Sequence, residues 1–567
     1  MRRAAVLPAL GMSLATLLAG CASAPAGSSA PTAVPRIDVP VVAHPGGETP
    51  AWWYRNGAAR AAANGAMNGR AKNVILFLGD GMSLTTVAAA RILDGQRKGG
   101  SGEENLLSWE RFPHTAFSKT YNTDSQTPDS AGTMTAITTG VKTHMGAIGV
   151  TAGRRDDCAD SLGKAALTWL ELADSAGMAT GIVTTARLTH ATPAATYAHV
   201  PDRNWENDTD LPKAAIAQGC RDIAQQLLTS SRFGRGPTVA LGGGRAEFTS
   251  TEQRDPEYDD KVGERLDGRN LPAEWLQANP GGQYVWNRAQ LEAAKDAPRL
   301  LGLFEPDHMQ FEHDRARGGT GEPSLAELTR AAIHTLSRSE DGYVLMVEGA
   351  RIDHANHYGN AFRALDETIA MSEAVQAALD ATSREDTLIL VTADHSHTLN
   401  FVGYPVRGNP ILGKVRGQGG EDDVPGDLAR DQTGLPFTTL TYANGPGYTG
   451  ESNQQKAGPK RFLHAPSSVE AGEGRPDLTA VDTEHPDYLQ ESLVPLKSES
   501  HGGEDVGIWA IGPGSDAVRG TVEQNTLYHF IVQATPRLRQ RLCAANTCNA
   551  DGVPVELPKP VDFERKP

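Results

Sequence analysis

Asn73-Val74-Ile75-Leu76-Phe77-Leu78 is apolar at every position after the first, so a strand built from it has to be covered on both faces. Thr180–Thr185, Tyr343–Val347, Thr387–Thr392 and Val506–Ile511 read as further buried strands. Helical periodicity runs through Thr85–Arg97, Leu162–Ala176 and Phe362–Ala381 between them. This alternation predicts an α/β fold, a three-layer α/β/α sandwich around a largely parallel sheet. Residues 403–499 break the pattern, being rich in Gly, Pro, Asp and Asn, and are expected to form a cap- or crown-like insertion. The body of the fold then comprises residues 51–402 and 500–550. A chain of 567 residues suits one large body with insertions or several domains, and no internal repeat divides it.

The N-terminus reads as a processing signal over residues 1–20. Arg2 and Arg3 form a positive start, and Ala4–Leu18 is apolar but interrupted by Pro8 and too short to span a bilayer with polar chain following it. Leu18-Ala19-Gly20-Cys21 resembles the lipobox of bacterial lipoproteins, in which the cysteine is lipidated; an ordinary cleaved signal with an incidental cysteine is the alternative. Residues 21–50 are rich in Ala, Pro, Gly and Ser and are expected to be a flexible tether, and residues 551–567 a flexible tail. With Cys21 set aside, Cys158, Cys220, Cys543 and Cys548 remain, an even number that suits an oxidising compartment. They allow three connectivities, of which the pairing of sequence neighbours, Cys158–Cys220 and Cys543–Cys548, is expected. A zinc–thiolate site is the rival, but no CxxC pair starts one.

Lys and Arg number 53 against 69 Asp and Glu, a net charge of −16. No basic stripe offsets this, which argues against a nucleic-acid-binding role driven by counterion release. An acidic chain that binds an anion has to concentrate positive charge locally, and bound metal ions do that.

In parallel sheets, ligands sit beyond the carboxyl ends of the strands. Four of the expected strands lead there into metal-type ligands: Gly79-Asp80-Gly81, Thr189-His190-Ala191-Thr192, Glu348-Gly349 and Asp394-His395-Ser396-His397. Asp353 and His357 follow Glu348 at a spacing of i and i+4, one helical face able to chelate one ion. His501 precedes the last strand and completes that set. Alone, each is an ordinary cap, turn or surface residue, and His354 and His397 also suit positions behind the ligands or in solvent. Together they indicate a multi-metal site. Thr127-Pro128-Asp129-Ser130-Ala131-Gly132-Thr133 opens a helical run, placing Ser130 at a helix N-terminus that favours anions. Capping by Asp129 or Ser130 is the structural alternative.

Leu78-Gly79-Asp80-Gly81-Met82, Asp129-Ser130-Ala131-Gly132-Thr133, Val347-Glu348-Gly349 with Asp353 and His357, and Thr392-Ala393-Asp394-His395-Ser396-His397 together resemble alkaline phosphatase. The likeness runs from about Trp52 to Cys548. Tyr197–Trp205 and Gly302-Leu303-Phe304-Glu305-Pro306 bring it nearer the animal enzymes than the enteric bacterial one.

The resemblance implies hydrolysis of phosphate monoesters to an alcohol and inorganic phosphate, with Ser130 as the nucleophile of a phosphoserine intermediate and Arg203 gripping the phosphate. It implies Asp353, His357 and His501 as ligands of one zinc, and Asp80, Asp394 and His395 as ligands of a second. Asp80, Thr192 and Glu348 would hold magnesium, with His190 binding directly or through water. His190 and His354 stand where the enteric enzyme has aspartate and lysine, and where animal enzymes also have histidine; imidazole suits zinc better than magnesium. Glu257, the Phe304 carbonyl, Glu305 and Glu322 match the animal calcium ligands, Glu322 in place of aspartate. His354 and His397 are assigned to the substrate side or behind the ligands. A homodimer is implied as well.

Related phosphodiesterases lack the arginine and the third-ion set, and sulfatases need a C/S-x-P-x-R context that Ser130 lacks. A non-catalytic lipoprotein that stores metal or phosphate would need neither Ser130 nor Arg203. Ala22 after Cys21, in place of Asp, fits outer-membrane sorting, with the protein facing periplasm or cell surface.

Overall fold

The computed structural model describes residues 35, 37–42, 46–229, 234–319, 321–417, 426–450, 456–463 and 475–564. The signal segment, Cys21 and the first part of the tether lie outside the described residues.

Ten strands form the central sheet: β1 (Asn73–Gly79), β2 (His114–Lys119), β3 (Ala179–Arg187), β4 (Val239–Gly243), β5 (Gln283–Val285), β6 (Leu300–Leu303), β7 (Tyr343–Gly349), β8 (Thr387–Ala393), β9 (Val506–Ile511) and β10 (Gly520–Glu523). Their order across the sheet is β10-β2-β9-β8-β1-β7-β3-β4-β6-β5. Every neighbouring pair is parallel except the two made by β9.

Helices that position the site or cover the sheet are α1 (Pro50–Ala63), α2 (Leu84–Arg97), α3 (Ser130–Thr139), α4 (Trp169–Ser175), α5 (Leu325–Leu336), α6 (Arg351–His357), α7 (Ala361–Ala381) and α8 (Thr526–Ala534). Strand β1 shows why three layers form. Val74, Leu76 and Leu78 pack with Trp53 and Tyr54 of α1, Leu170 and Leu172 of α4 and Leu527 and Ile531 of α8. Ile75 and Phe77 point the other way, into Val87 of α2, Leu328 and Leu336 of α5 and Leu365 and Val375 of α7. Each such side chain contributes roughly 1.5–3 kcal/mol on burial, so both faces of the run are used.

The Leu162–Ala176 pattern becomes a helix only from Trp169. Gly163 takes a left-handed φ of 77° that interrupts the run. Thr168 and Glu171 then close a reciprocal cap, with Thr168 Oγ1 accepting from Glu171 N and Glu171 Oε2 from Thr168 N, both at 3.0 Å. Strands β2, β4, β5, β6 and β10 carry no strong sequence signal, being short, half-exposed or glycine-rich.

Both disulfides form as expected, Cys158–Cys220 and Cys543–Cys548. The first spans 62 residues and is worth on the order of 4 kcal/mol in the chain-entropy account.

Residues 403–499 add no strand to the ten-stranded sheet among the described residues. A separate small sheet joins Leu399–Phe401, Leu440–Gly445 and Ser492–Pro495, so it starts just before the expected boundary. Ser396–His397 pairs antiparallel with His501–Gly502, setting His397 opposite His501.

Described residues at both ends are packed on the body. Described residues of the expected tether are docked: Trp52 Nε1 donates to Pro40 O at 2.7 Å, and Ile37 packs on Ala58, Ala62, Val553 and Val555. The expected flexible tail, residues 551–567, is also packed as far as residue 564. Val553 and Phe563 are buried, Glu556 pairs with Arg55, and Arg541 lies over the Phe563 ring at 4.3 Å. A few apolar anchors outweigh the Pro- and charge-rich composition. Among the described residues no helix is long and apolar enough to cross a membrane.

Glu367 on α7 is buried at 3% exposure and accepts from Glu312 N at 2.6 Å. Burial pushes its carboxyl from 4.5 up to about 8. The folded pKa lies above the unfolded one, so stability tied to the neutral form is complete below about pH 4.5 and lost as pH rises through about 8. Glu367→Gln keeps an acceptor and cannot ionise. It is expected to stabilise the fold at pH 9 by a few kcal/mol, on the order of the shift, and to change nothing at pH 4. Denaturant unfolding at the two pH values checks this; equal effects at both would be inconsistent with an ionisation penalty at Glu367.

Candidate metal and phosphate site

Strands β8, β1, β7 and β3 are adjacent and parallel, so their carboxyl ends share one rim. Asp80 follows β1, Asp394 and His395 follow β8, and Glu348 is the penultimate residue of β7. Helix α6, immediately after β7, carries Asp353 and His357, while His190 and Thr192 lie just beyond β3. Gly81 lets these walls close: its φ is 66°, and a Cβ there would meet the His397 ring at 2.3 Å.

Acidic and imidazole groups converge here in four sets whose ligand atoms lie within 4.8 Å of one another. They are Asp353 with His395, His397 and His501; His357 with His397 and Glu499; Asp80 with His190 and Glu348; and Asp80 with Asp394 and His395. Backbone carbonyls fix three imidazoles, because a carbonyl can only accept. His357 Nδ1 donates to Glu499 O at 2.5 Å, His501 Nδ1 to Pro128 O at 2.8 Å and His395 Nδ1 to Ser396 O at 3.2 Å. Each then turns an Nε2 lone pair inward, the state a metal ligand needs. Burial and the neighbouring His501 hold His395 well below the ordinary imidazole range, keeping it neutral.

The acids shift in both directions. Burial and the charge of Asp394 push the Asp80 carboxyl well above the carboxylate range. Burial and Asp394 together push Glu348 up to about 8, although Thr184 Oγ1 donates to it at 2.5 Å. Burial alone would raise Asp353, but His357 and His397 hold it well below that range. Asp80 Oδ1, Glu348 Oε1 and His190 Nδ1 are buried with no hydrogen-bond partner. Thr192 Oγ1 donates to the other Asp80 oxygen at 3.2 Å. The unpaired buried oxygens of Asp80 and Glu348, set among repelling acids, are costly unless a cation gathers them, so these donors fit a metal ion. Imidazole nitrogens and carboxylate oxygens converging in this way are the donor types of a metal centre.

Ser130 opens α3 with Asp129 as its cap, Asp129 Oδ1 accepting from Gly132 N at 3.1 Å. Asp129 therefore caps and Ser130 is left free to point at the rim: its Oγ is 3.1 Å from His395 Nε2 at 1% exposure. Arg203 Nη1 donates to Asp129 Oδ2 and its Nη2 lies against His190 Nε2, each at 3.2 Å. Burial would raise Asp129, but Arg203 lowers it, leaving an anion to orient the guanidinium.

His354 lies behind His190, their ring centroids 5.3 Å apart, and accepts from Arg351 Nη1 at 2.8 Å. His397 bridges Asp353 and Glu499, and those two carboxylates, against the effect of burial, push its imidazole up to about 10. Sequence reasoning missed Glu499, and also His308, whose ring lies 4.2 Å from that of His354. Each touches the site only through folding, although Glu499 stands beside His501 in Ser498-Glu499-Ser500-His501.

The residues matched to calcium ligands lie elsewhere. Glu257 pairs with Arg245 at 3.0 Å, Glu305 accepts from Tyr258 OH at 2.9 Å and Glu322 from Gln310 N at 3.2 Å. Phe304 is buried at the end of β6. Burial and the charge of Glu305 push Glu322 up to about 8. Among the described residues these carboxylates are not one of the converging sets.

The alkaline phosphatase family profile matches residues 71–536. The tissue-nonspecific alkaline phosphatase isozyme of Felis catus is 43% identical over 472 residues, covering 82% of this chain and 83% of that protein. The Homo sapiens isozyme is 42% identical over 473 residues, with 82% and 83% covered. Among solved structures, the Thermus thermophilus alkaline phosphatase superposes with a TM-score of 0.56 at 25% identity, covering 83% of this chain and 92% of that one. The enzyme of the Antarctic bacterium TAB5 shares the fold, with a TM-score of 0.52 at 21% identity and 82% and 98% covered. Similarity on this scale spans the sheet and every strand end that carries a candidate ligand, and the chain belongs to the alkaline phosphatase family.

Proposed function

We propose that this phosphomonoesterase works through a phosphoserine at Ser130, within a site of two zinc ions and one magnesium. Asp353, His357 and His501 hold one zinc, Asp80, Asp394 and His395 the second, and Asp80, Thr192 and Glu348 the magnesium, with His190 beside it. The observation that carries this reading is the buried Ser130 Oγ, 3.1 Å from His395 Nε2, at a helix N-terminus facing the converging ligand sets.

Ser130 Oγ gives up its hydroxyl proton to solvent and attacks phosphorus; as the Oγ–P bond forms, the bond to the substrate oxygen breaks, and that oxygen takes up a proton to leave as the alcohol. Water then cleaves the Oγ–P bond and releases inorganic phosphate. The backbone N–H groups opening α3 face the phosphoryl oxygens with favourable dipole. Arg203 presents a planar fork to two oxygens, held in direction by Asp129. When bound, the zinc pair supplies the Lewis acidity that makes a serine hydroxyl nucleophilic and stabilises the departing alkoxide.

Arg203→Ala is expected to weaken inhibition by inorganic phosphate at least about tenfold, the loss of a charge-assisted pair of roughly 1.5–3 kcal/mol. Its unfolding midpoint should stay near that of the parent. Unchanged phosphate affinity would mean the arginine has been misassigned.

Glu257, Phe304 through its carbonyl, Glu305 and Glu322 form the proposed calcium site. The buried, mutually repelling Glu305 and Glu322 support it. The proposal extends to a homodimer, by resemblance, and to export with lipid attachment at Cys21 on the outer membrane. Cys21→Ser is expected to move the protein from the membrane to the soluble fraction on cell fractionation; continued membrane association would rule the lipobox out.

A further inference from the structure

Glu499 is fully buried beside the proposed ligands of one zinc, yet it belongs to none of the motifs. Its Oε1 accepts from Thr398 N at 2.6 Å and from Thr398 Oγ1 at 2.5 Å. Its Oε2 accepts from His397 Nδ1. The other nitrogen of that ring, Nε2, donates to Asp353 Oδ1 at 2.6 Å. Both ring nitrogens of His397 face carboxylates, so both donate and neither keeps a lone pair for a metal. The residue is therefore a strut between Glu499 and Asp353.

The main chain of Glu499 acts on a second ligand. Its N–H donates to His357 O at 2.9 Å, and its carbonyl accepts from His357 Nδ1 at 2.5 Å. This leaves His357 Nε2 free to face Asp353 Oδ2 at 3.4 Å and His501 Nε2 at 3.1 Å. One residue thus sets the orientation of Asp353 and the tautomer of His357, both of which lie on α6, far from it in sequence.

We propose that Glu499 is a positioning residue for the site of Asp353, His357 and His501, its carboxylate acting through His397 and its carbonyl directly on His357. The proposal rests on the reading of those three residues as ligands of one zinc. A metal ligand is held in productive geometry by the groups behind it, and their loss typically weakens metal binding by about 10–100-fold.

The test is zinc affinity of the full-chain enzyme, measured by competition with a chromogenic chelator. The proteins compared are the parent, Glu499→Gln, Glu499→Asp, His397→Gln and the Glu499→Gln/His397→Gln pair. Glu499→Gln is expected to weaken one zinc equivalent by about 10–100-fold, leave the other unchanged, and recover its kcat in excess zinc. Glu499→Asp, which keeps the charge, should recover part of the loss. Because the two side chains act in series, the double variant should bind no worse than the weaker single one. Thr398→Val, which loosens the carboxylate without removing it, should weaken the same equivalent by less, and it serves if Glu499→Gln does not fold. Parental zinc affinity in Glu499→Gln, additive losses in the double variant, or a lower unfolding midpoint of the metal-free protein with unchanged affinity would each overturn the proposal. Full retention of zinc in Asp353→Ala would instead overturn the ligand reading beneath it.

Discussion

Ser130→Ala is expected to lower steady-state hydrolysis of p-nitrophenyl phosphate by at least about a thousandfold while leaving zinc content near that of the parent. The separation of the two effects follows from geometry. Asp129, not Ser130, supplies the cap of α3, accepting from Gly132 N, so the helix keeps its start when the hydroxyl is lost. The hydroxyl's own partner is His395 Nε2, 3.1 Å from Oγ, and alanine removes only that one oxygen. Asp80, Asp394 and His395 remain in place around it. Rapid quenching with labelled substrate should show no covalent phosphoprotein in the variant. Parental turnover in Ser130→Ala would remove the residue from its role, and loss of zinc together with turnover would show that it is needed to hold the site.

The parts of the fold that sequence reveals are those where burial leaves no choice. Strand β1 is apolar on both faces because Val74 and Ile75 serve opposite cores, and no exposed placement tolerates such a run; its short length and β-branched residues favour a strand over a buried helix. Strand β4 lies just as deep, but Val239-Ala240-Leu241-Gly242-Gly243 looks like a loop. Its glycines are required by contact: a Cβ on Gly243 would meet Asp307 O at 2.3 Å. The pairing that makes it a strand comes from β3 and β6, which are distant in sequence. The docked tail is similar, since Val553 and Phe563 find partners on surfaces that exist only after folding.

The site divides along the same line. Asp80, Glu348, Asp394 and His395 stand at or next to the ends of apolar strands, so a local pattern places them on a common rim. Asp353 and His357 share a helical face by spacing alone. Glu499 and His308 act across tertiary contacts, Glu499 through His397 and His308 against His354, and no local period marks either. Only proximity to His501 or to the Phe304-Glu305-Pro306 segment hints at them.

Stripping the metals with chelator is expected to abolish hydrolysis, and restoring zinc followed by magnesium to return it. Ser130 Oγ beside a neutral His395 also resembles a serine–histidine pair, in which the imidazole would take the serine proton with no metal present. Two features oppose that chemistry. His395 Nδ1 donates to a backbone carbonyl and not to the orienting carboxylate of a triad, and burial with His501 holds the ring well below its ordinary pKa. Asp80 and Asp394 lie within 3.4 Å of His395 Nε2 and are better placed to share an ion with it than to relay a proton. Chelation therefore discriminates sharply: a serine–histidine mechanism would survive it, whereas the proposed site loses its electrophile, a change of at least about a thousandfold for removal of Lewis-acid stabilisation worth several kcal/mol. Running bis-p-nitrophenyl phosphate beside p-nitrophenyl phosphate during zinc and magnesium restoration adds the substrate test. In its proposed role Arg203 grips two non-bridging oxygens of a monoester dianion, and a diester replaces one of those charges with an ester group. Monoester cleavage should therefore return far ahead of diester cleavage. Turnover that resists exhaustive chelation would overturn the metal reading, and diester preference would overturn the part assigned to Arg203.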